Sequence, residues 1–420
     1  RNLVLSVASC FEGDVAPGTS DRTVTRLPLA YIAERQVSVY VPILYGSVNH
    51  LPEEVTTVQE ATVEAQPTLL VGFPGQWTAA AGRVQVGVDH GGPVQRAAYA
   101  LATRARRRHE RALQQGGRIS PLGRMASWAA YWTVCRQVLD KFGYPHVGAV
   151  LTAGAALPEA VAAQWAVWGL KLRSAYVVTE AAGLVALQRD GDDPGILRVL
   201  AGMEARLGPD GELLLRGPSL FSGYVGDPNG VDADGWFHTG DLAELEEGSS
   251  RVRIRGRRND VITVGGRTLT ASDVEERVRA SPFIREAVVC EVAGGALGAL
   301  VELDALACSS WARERGLTVA GYAGLAGAAP VRELIASELE RVNEALLVAG
   351  LPSLADHRLF PQPLDPAAGD EVTATRAVKR SSITRKYRSL IDEMLSAARS
   401  EERTARSVAG VNPAAERSSR

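Results

Sequence analysis

Asp241 and Arg257 are the two residues of this 420-residue chain whose types and spacing most directly suggest shared chemistry. Asp241 ends the segment GWFHTGD (235–241), after Thr239 and Gly240, so its carboxylate is expected at a turn and not on a helix face. Arg257 follows sixteen residues later, beyond SSRVRIRG, where Arg alternates with Val or Ile at the period of a half-buried strand. An out-and-back excursion of that length returns the two side chains to one place. A carboxylate accepts hydrogen bonds from vicinal hydroxyls and a guanidinium donates in a fixed fork, so together they suit a polyhydroxyl ligand such as ribose. A purely structural Asp–Arg pair across a turn is the other reading these residues allow.

The elements that must position such a site can be read along the chain. RNLVLSVASCF at the start is amphipathic, and RLPLAYIAERQ (26–36) follows a turn region. QPTLLVGFPGQW (66–77) reads as an apolar strand ending in glycines, Gly72 and Gly75, which either leave room for a chain-like substrate or relieve backbone strain. Residues 97–117 hold a polar helix with Arg104, Arg106, Arg107, Arg108 and Arg111. A solvated face is the first reading of that charge run, and contact with a membrane surface is the second. MASWAAYWTVCRQVLDKF predicts a helix with Trp128, Tyr131, Trp132, Cys135 and Leu139 as a core-facing stripe. VGAVLTAGAALPEAV predicts a buried strand, a small-residue turn at Gly154-Ala155-Ala156 that would let a flat ring approach the backbone, and a helix opened by Pro158-Glu159. LRSAYVVTEAAG follows, and ARLGPDGELLLRG predicts two strands about a Pro-Asp-Gly turn.

Near residue 260 the pattern changes. SDVEERVRASP and VRELIASELERVNEAL are helical, REAVVCEVAGG and ALGALVELD are strands, and residues 397–420 are small and charged, the composition of a disordered tail. The expected architecture is α/β, with a large domain over 1–258, a small α+β domain over 259–396, and the tail. The length fits two domains. A net charge of −2 gives no global bias toward nucleic acid, and none is expected as a partner. Cys10, Cys135, Cys290 and Cys308 are scattered without paired spacing, which fits reduced thiols in a cytoplasmic setting, and the six histidines form no metal-ligand pattern. No apolar run reaches the ~20 residues needed to span a bilayer. The chain begins with Arg, which reads as a fragment.

These segments together resemble the AMP-forming acyl-CoA synthetases, an adenylating family that includes luciferases and peptide-synthetase adenylation domains. The matching pieces are LPLAYIAER, PTLLVGFPGQW, SAYVVTE, GELLLRGP, GWFHTGD and GRRNDVITVGG. The resemblance extends over roughly residues 1–395. EVTATRAVKRSSITRKYRSLIDEML, with the segments FIREAVVCEV and LIASELERVNEAL, is most similar to the long-chain fatty-acid–CoA ligase branch. It implies a large adenylating domain with mixed sheets, flanking helices and a small β-rich subdomain, whose first part lies outside this sequence, plus a small mobile lid. It implies roles as well. Asp241 and Arg257 hold ribose, Gly154, Ala155 and Ala156 border adenine, Tyr176 stacks on adenine, and Thr179 bonds a phosphate oxygen. Glu180 carries Mg²⁺, a hard cation suited to one carboxylate with phosphate oxygens and water. Asn259 sits at the hinge, Gly265 and Gly266 belong to the lid and CoA side, and Tyr31 and Gly72 border the acyl pocket.

The implied reaction joins a fatty acid or similar carboxylate to ATP, giving acyl-adenylate, and then to CoA. Three positions depart from the family pattern. Tyr31 stands where His is usual, Val177 replaces a glycine beside Tyr176, and Ala377 falls on the catalytic lysine, flanked by Arg376 and Lys379. A positioned cation at developing charge is typically worth ~10²–10³-fold in rate. The loop that cradles the triphosphate lies outside the sequence. The alternatives are therefore a non-catalytic homologue that binds nucleotide, acyl group or partner, and an enzyme that loads a carrier protein. Acyl-chain length and oligomeric state are not readable from spacing.

Overall fold

The computed structural model describes residues 2–394 apart from 11–16, 55–56, 155–156, 227–229, 247, 265–266, 293–295, 366–367, 369 and 374–377. The chain divides into two compact units, Arg1–Arg258 and Asn259–Arg420.

In the first unit, two short strands, β1 (Arg22–Val24) and β2 (Val48–His50), pair in parallel. Leu69-Leu70-Val71 and Ala149-Val150-Leu151 are apolar runs without alternation, the mark of parallel strands covered on both faces. They form β3 (Leu69–Gly72) and β4 (Ala149–Thr152), which are parallel to each other and to β5 (Leu172–Val178). The sheet continues antiparallel through β6 (Gly183–Leu187), β7 (Leu197–Val199), β8 (Glu204–Leu207), β9 (Glu212–Arg216), β10 (Phe237–Leu245) and β11 (Arg251–Arg257). Among the described residues this is one nine-stranded mixed sheet in the order β3-β4-β5-β6-β7-β11-β10-β9-β8. The expected α/β class, a large mixed sheet with flanking helices, is therefore what the chain forms.

Helices Pro74–Asp89 and Glu159–Trp168 cover the parallel part. Trp77, Trp165 and Trp168 are fully buried beneath them, and the Trp77 and Trp165 rings meet edge to face at 5.5 Å. Outside lie helix Pro93–Gln114 and the continuous helical run from Pro121 to Phe142, which passes through a π-helical turn at Tyr131–Cys135. Here the expected core stripe is only half right. Cys135 and Leu139 are buried and Tyr131 is half-buried, whereas Trp128 and Trp132 face solvent. The helix carries apolar side chains on two faces, and packing selects the one with Ser127, Ala130 and Cys135, where small side chains let Arg106 reach Ser127 Oγ at 3.1 Å and its guanidinium lie over the Tyr131 ring.

The second unit is α+β. A hairpin of β12 (Val261–Val264) and β13 (Arg267–Thr270) leads into helix Ala271–Val278. Strands β14 (Ile284–Val292), β15 (Ala296–Leu303) and β16 (Leu354–Leu359) form a three-stranded sheet. One face packs on helices Ala271–Val278 and Ala329–Val348 through Val274, Val278, Ile335 and Leu339, and the other on Phe360, Ile383 and Tyr387.

Candidate functional site

Asp241 does not occupy the expected turn. It lies inside β10, and its cross-strand partner in β11 is Arg257. The out-and-back path does return the two residues to one place, and Arg257 Nε donates to Asp241 Oδ1 at 2.9 Å. Asp241 is buried, while most of the Arg257 side chain is exposed. The other carboxylate oxygen, Oδ2, accepts the Tyr176 hydroxyl from β5. Burial, and then the charge of Asp241, push the Tyr176 phenol well above its ordinary range, so it stays a donor at any physiological pH. Three strands thus bring together a carboxylate, a guanidinium and an aromatic ring. In this arrangement both carboxylate oxygens already have internal partners, and a ligand hydroxyl must displace or share one of them.

The local sequence explains why the aspartate is held so firmly. Thr239 Oγ1 donates to the Leu213 carbonyl at 2.7 Å and accepts the Asp241 N–H at 3.0 Å. Gly240 sits at φ 71°, the left-handed region that glycine adopts without penalty, and its N–H donates to Glu212 Oε1 at 2.8 Å. Glu212 was not singled out from sequence, yet it ties the loop together. Its Oε2 also lies 3.2 Å from both His238 Nδ1 and Arg258 Nη1. Burial opposes its charge, but the Gly240 N–H, His238 and Arg258 outweigh that and hold its carboxyl below the usual range. The only trace of this role in the sequence is a Gly-Glu pair opening β9.

At the end of β5 the chain turns through a single 3₁₀ turn, Thr179–Ala181. Thr179 is exposed, and Glu180 Oε1 accepts the Tyr224 hydroxyl at 2.7 Å. A second residue missed from sequence sets this turn. Gln36, in a π-helical turn at Gln36–Tyr40, is buried, donates from Nε2 to the Ala182 carbonyl at 3.0 Å and to Ser6 Oγ at 2.8 Å, and accepts the Leu184 N–H at 3.2 Å. Ala182 itself is left-handed at φ 60°, a conformation costly for a residue with a Cβ. A Cβ on Gly183 would meet the Gln36 amide at 2.2 Å, so the glycine is required by close approach.

Gly154 follows β4, whose Thr152 pairs with Ser174 of β5, and the same two-residue step leads from Ser174 to Tyr176. It is left-handed at φ 96° with Phe73 beside it. Ala155 and Ala156 lie outside the described residues. Tyr31 caps helix Ile32–Arg35, its ring 5.1 Å from Phe73, and burial pushes its hydroxyl up to about 12. Gly72 has a packing reason, since a Cβ there would lie 2.8 Å from the Trp77 ring. An apolar cavity lined by Gln36, Val71, Ala153, Ala175, Val177 and Leu184 among others is about 20 Å³, room for a water-sized object and not for an acyl chain.

In the second unit, Asn259 falls in the turn Arg258–Asp260, and Gly265, Gly266, Arg376 and Ala377 lie outside the described residues. Beside them, Lys379 N–H donates to the Glu371 carbonyl at 2.8 Å. Among the described residues no group of three or more His, Cys, Asp or Glu side chains could hold a metal ion. Glu180 alone offers one hard oxygen donor, which fits Mg²⁺ only in company with phosphate oxygens.

Comparison with known proteins finds relatives of the chain as a whole. The family described as AMP-binding enzyme matches residues 1–225. A Mycobacterium tuberculosis protein provisionally described as fatty-acid–CoA ligase fadD11 is 26% identical over 386 residues, covering 89% of this chain and 66% of that protein. Long-chain-fatty-acid–CoA ligase FadD15 of the same organism is 32% identical over 231 residues, 53% of this chain and 38% of that protein. Among solved structures, the adenylation domain of a carboxylate reductase from Mycobacterium chelonae superimposes with a TM-score of 0.68 at 17% identity, covering 94% of this chain and 57% of that one. The corresponding domain of a Segniliparus rugosus carboxylic acid reductase, in complex with AMP and a co-purified carboxylic acid, gives 0.65 at 18% identity, covering 95% and 59%. At these identities the structures share the fold. The chain spans less than two thirds of the length of the two ligases it matches.

Proposed function

The chain belongs to the AMP-binding enzyme family, and from that premise we propose that it is part of an AMP-forming fatty-acid–CoA ligase acting on long-chain carboxylates. The observation that carries this reading is the convergence of Asp241, Arg257 and Tyr176 from β10, β11 and β5. Asp241 accepts the ribose hydroxyls, Arg257 donates to the same sugar, and the Tyr176 ring lies under adenine, which enters past Gly154. Thr179, exposed at the strand end, donates to a phosphate oxygen. Glu180 would hold Mg²⁺, which would supply charge neutralisation along the phosphates. Asn259, Gly265 and Gly266 belong to the lid's hinge side, and Tyr31 and Gly72 to the rim of the acyl pocket.

The chemistry is positioning and charge control. A carboxylate oxygen attacks the α-phosphorus of ATP and pyrophosphate leaves. The CoA thiolate then attacks the acyl carbonyl and AMP leaves with the electron pair. The 20 Å³ cavity beside Val177 must widen to admit a chain. A second reading, a homologue that binds nucleotide or acyl group without adenylating, is favoured by Ala377 at the lysine position.

The test is palmitate-dependent pyrophosphate release from MgATP by the full-length protein, alongside AMP titration. Release that depends on palmitate, followed by CoA-dependent AMP release, supports the ligase. AMP release that needs a carrier protein in place of CoA corrects the acceptor. AMP binding that is lost in Asp241→Asn, with pyrophosphate released only after Ala377→Lys, establishes the binding protein instead. Absence of both binding and release overturns the reading.

A further inference from the structure

Helices Pro93–Gln114 and Pro121–Ala130 pack against each other, and the faces they leave to solvent have a composition that the nucleotide site does not use. Leu122, Met125, Trp128 and Trp132 are 71%, 63%, 64% and 51% exposed, and the two indole rings lie 6.4 Å apart. Their spacing puts them on one side of the helix over three turns. On the neighbouring helix Val94, Leu101, Arg104, Arg108 and Arg111 recur at intervals of three, four and seven, which is again a single face, and all five are exposed. Isolated exposed apolar residues are ordinary, but two exposed Trp with Met and Leu on one helix, and three Arg with Val and Leu on the helix packed against it, give this pair outer faces that solvent alone does not explain.

The arginines differ in what they do. Arg106 is structural, donating to Ser127 and to the Val167 carbonyl and pairing with Glu110, and Arg107 donates to Gln164. Arg104, Arg108 and Arg111 make no ion pair among the described residues and stand on the outer face with Val94 and Leu101. Helix Pro93–Gln114 has no acidic residue except Glu110, whose carboxylate is taken by Arg106, so the outer face keeps its positive charge.

We propose that this two-helix face docks the protein on an anionic lipid bilayer surface, with Trp128, Trp132, Met125 and Leu122 entering the headgroup region and Arg104, Arg108 and Arg111 contacting lipid phosphates. The charge chooses the occupant. Arg residues without ion pairs on one helix and indole rings on the helix packed against it complement the negative, partly apolar boundary of such a membrane, where Trp is the preferred anchor. No helix among the described residues is long and apolar enough to cross a membrane, so the contact lies in the plane of the surface. The proposal stands independently of whether adenylation occurs.

The experiment is flotation of the full-length protein with vesicles of phosphatidylcholine alone and of phosphatidylcholine mixed with anionic phosphatidylglycerol. Circular dichroism verifies each variant's fold. Binding is expected to the anionic vesicles, weakening as salt is raised. Arg104→Glu with Arg108→Glu should weaken it by at least about 30-fold, the effect of two basic residues at such a surface. Trp128→Ser with Trp132→Ser should weaken it comparably at low salt, and Leu306→Ser, an exposed leucine of the second unit, should leave it unchanged. Equal binding to both vesicle types, or binding untouched by either double variant, overturns the proposal. So does concentration-dependent self-association that disappears in the Trp variant while vesicles do not compete, because the face is then an interface between copies.

Discussion

Replacing Tyr176 with Phe separates the two demands placed on Asp241. The phenol donates to Asp241 Oδ2 and Arg257 Nε occupies Oδ1 at 2.9 Å, so a ribose diol that enters must displace or share one of these partners, and on Oδ2 that partner is the tyrosine hydroxyl. A hydrogen bond to a charged acceptor contributes about 1.5–3 kcal/mol net. In Tyr176→Phe that contribution is lost from the free protein, and the first unit should unfold about 3–8 °C lower, taking about 1.5–2 kcal/mol and the 2–4 °C per kcal/mol typical of this size. The same loss removes the competitor for Oδ2, while the ring remains to pack on adenine. AMP should therefore bind about tenfold more tightly, the equivalent of roughly 1.4 kcal/mol. Isothermal titration with AMP and with 2′,3′-dideoxy-AMP makes the comparison, because only the first carries the hydroxyls. If the variant binds AMP no more tightly than the parent, or gains equally for the dideoxy nucleotide, then the aspartate does not read the ribose and the site's central assignment is wrong.

Three further outcomes follow from the geometry. Gln36→Leu strips partners from the Ala182 carbonyl and the Leu184 N–H in a buried position and should cost about 2–4 kcal/mol by urea titration. Gln36→Glu should rescue little, since it sets an acceptor against the Ala182 carbonyl. Arg380→Met leaves Glu275 buried without the guanidinium that lies 2.6 Å from it and frees Asp260, so the second unit should lose about 3–5 kcal/mol, with part recovered in the double variant carrying Glu275→Gln. Glu276 is pushed up to about 7, chiefly by burial, from an unfolded value near 4.5. The folded state thus holds the proton more tightly. Its contribution is complete below about pH 4.5 and declines as pH rises through 7, so Glu276→Gln should raise Tm at pH 8 and leave it nearly unchanged at pH 4.5.

The strands and their apolar runs, the Pro-opened helix at 159, the hairpin that returns Arg257 to Asp241 and the change of pattern near 260 are local matters. Periodicity, glycine and proline carry them in the order of residues. Other features depend on partners remote in the chain. The Tyr176 hydroxyl reaches Asp241 across 65 residues, and Gln36 braces Leu184 across 148, neither of which has a local signature. Glu212 looks like an ordinary strand residue until the Thr239-Gly240 segment of β10 pairs beside it. The Trp128 helix is the clearest case. A helix with apolar side chains on two faces buries whichever one its neighbours accept. Arg106, bonded to Ser127 and to Val167, settled that choice and left both tryptophans in water. Sequence determined the elements and the chemical types that resemblance could name. Tertiary packing decided which of those groups face a ligand, which are satisfied internally and which surface is left open, because each depends on contacts between segments remote from one another in the chain.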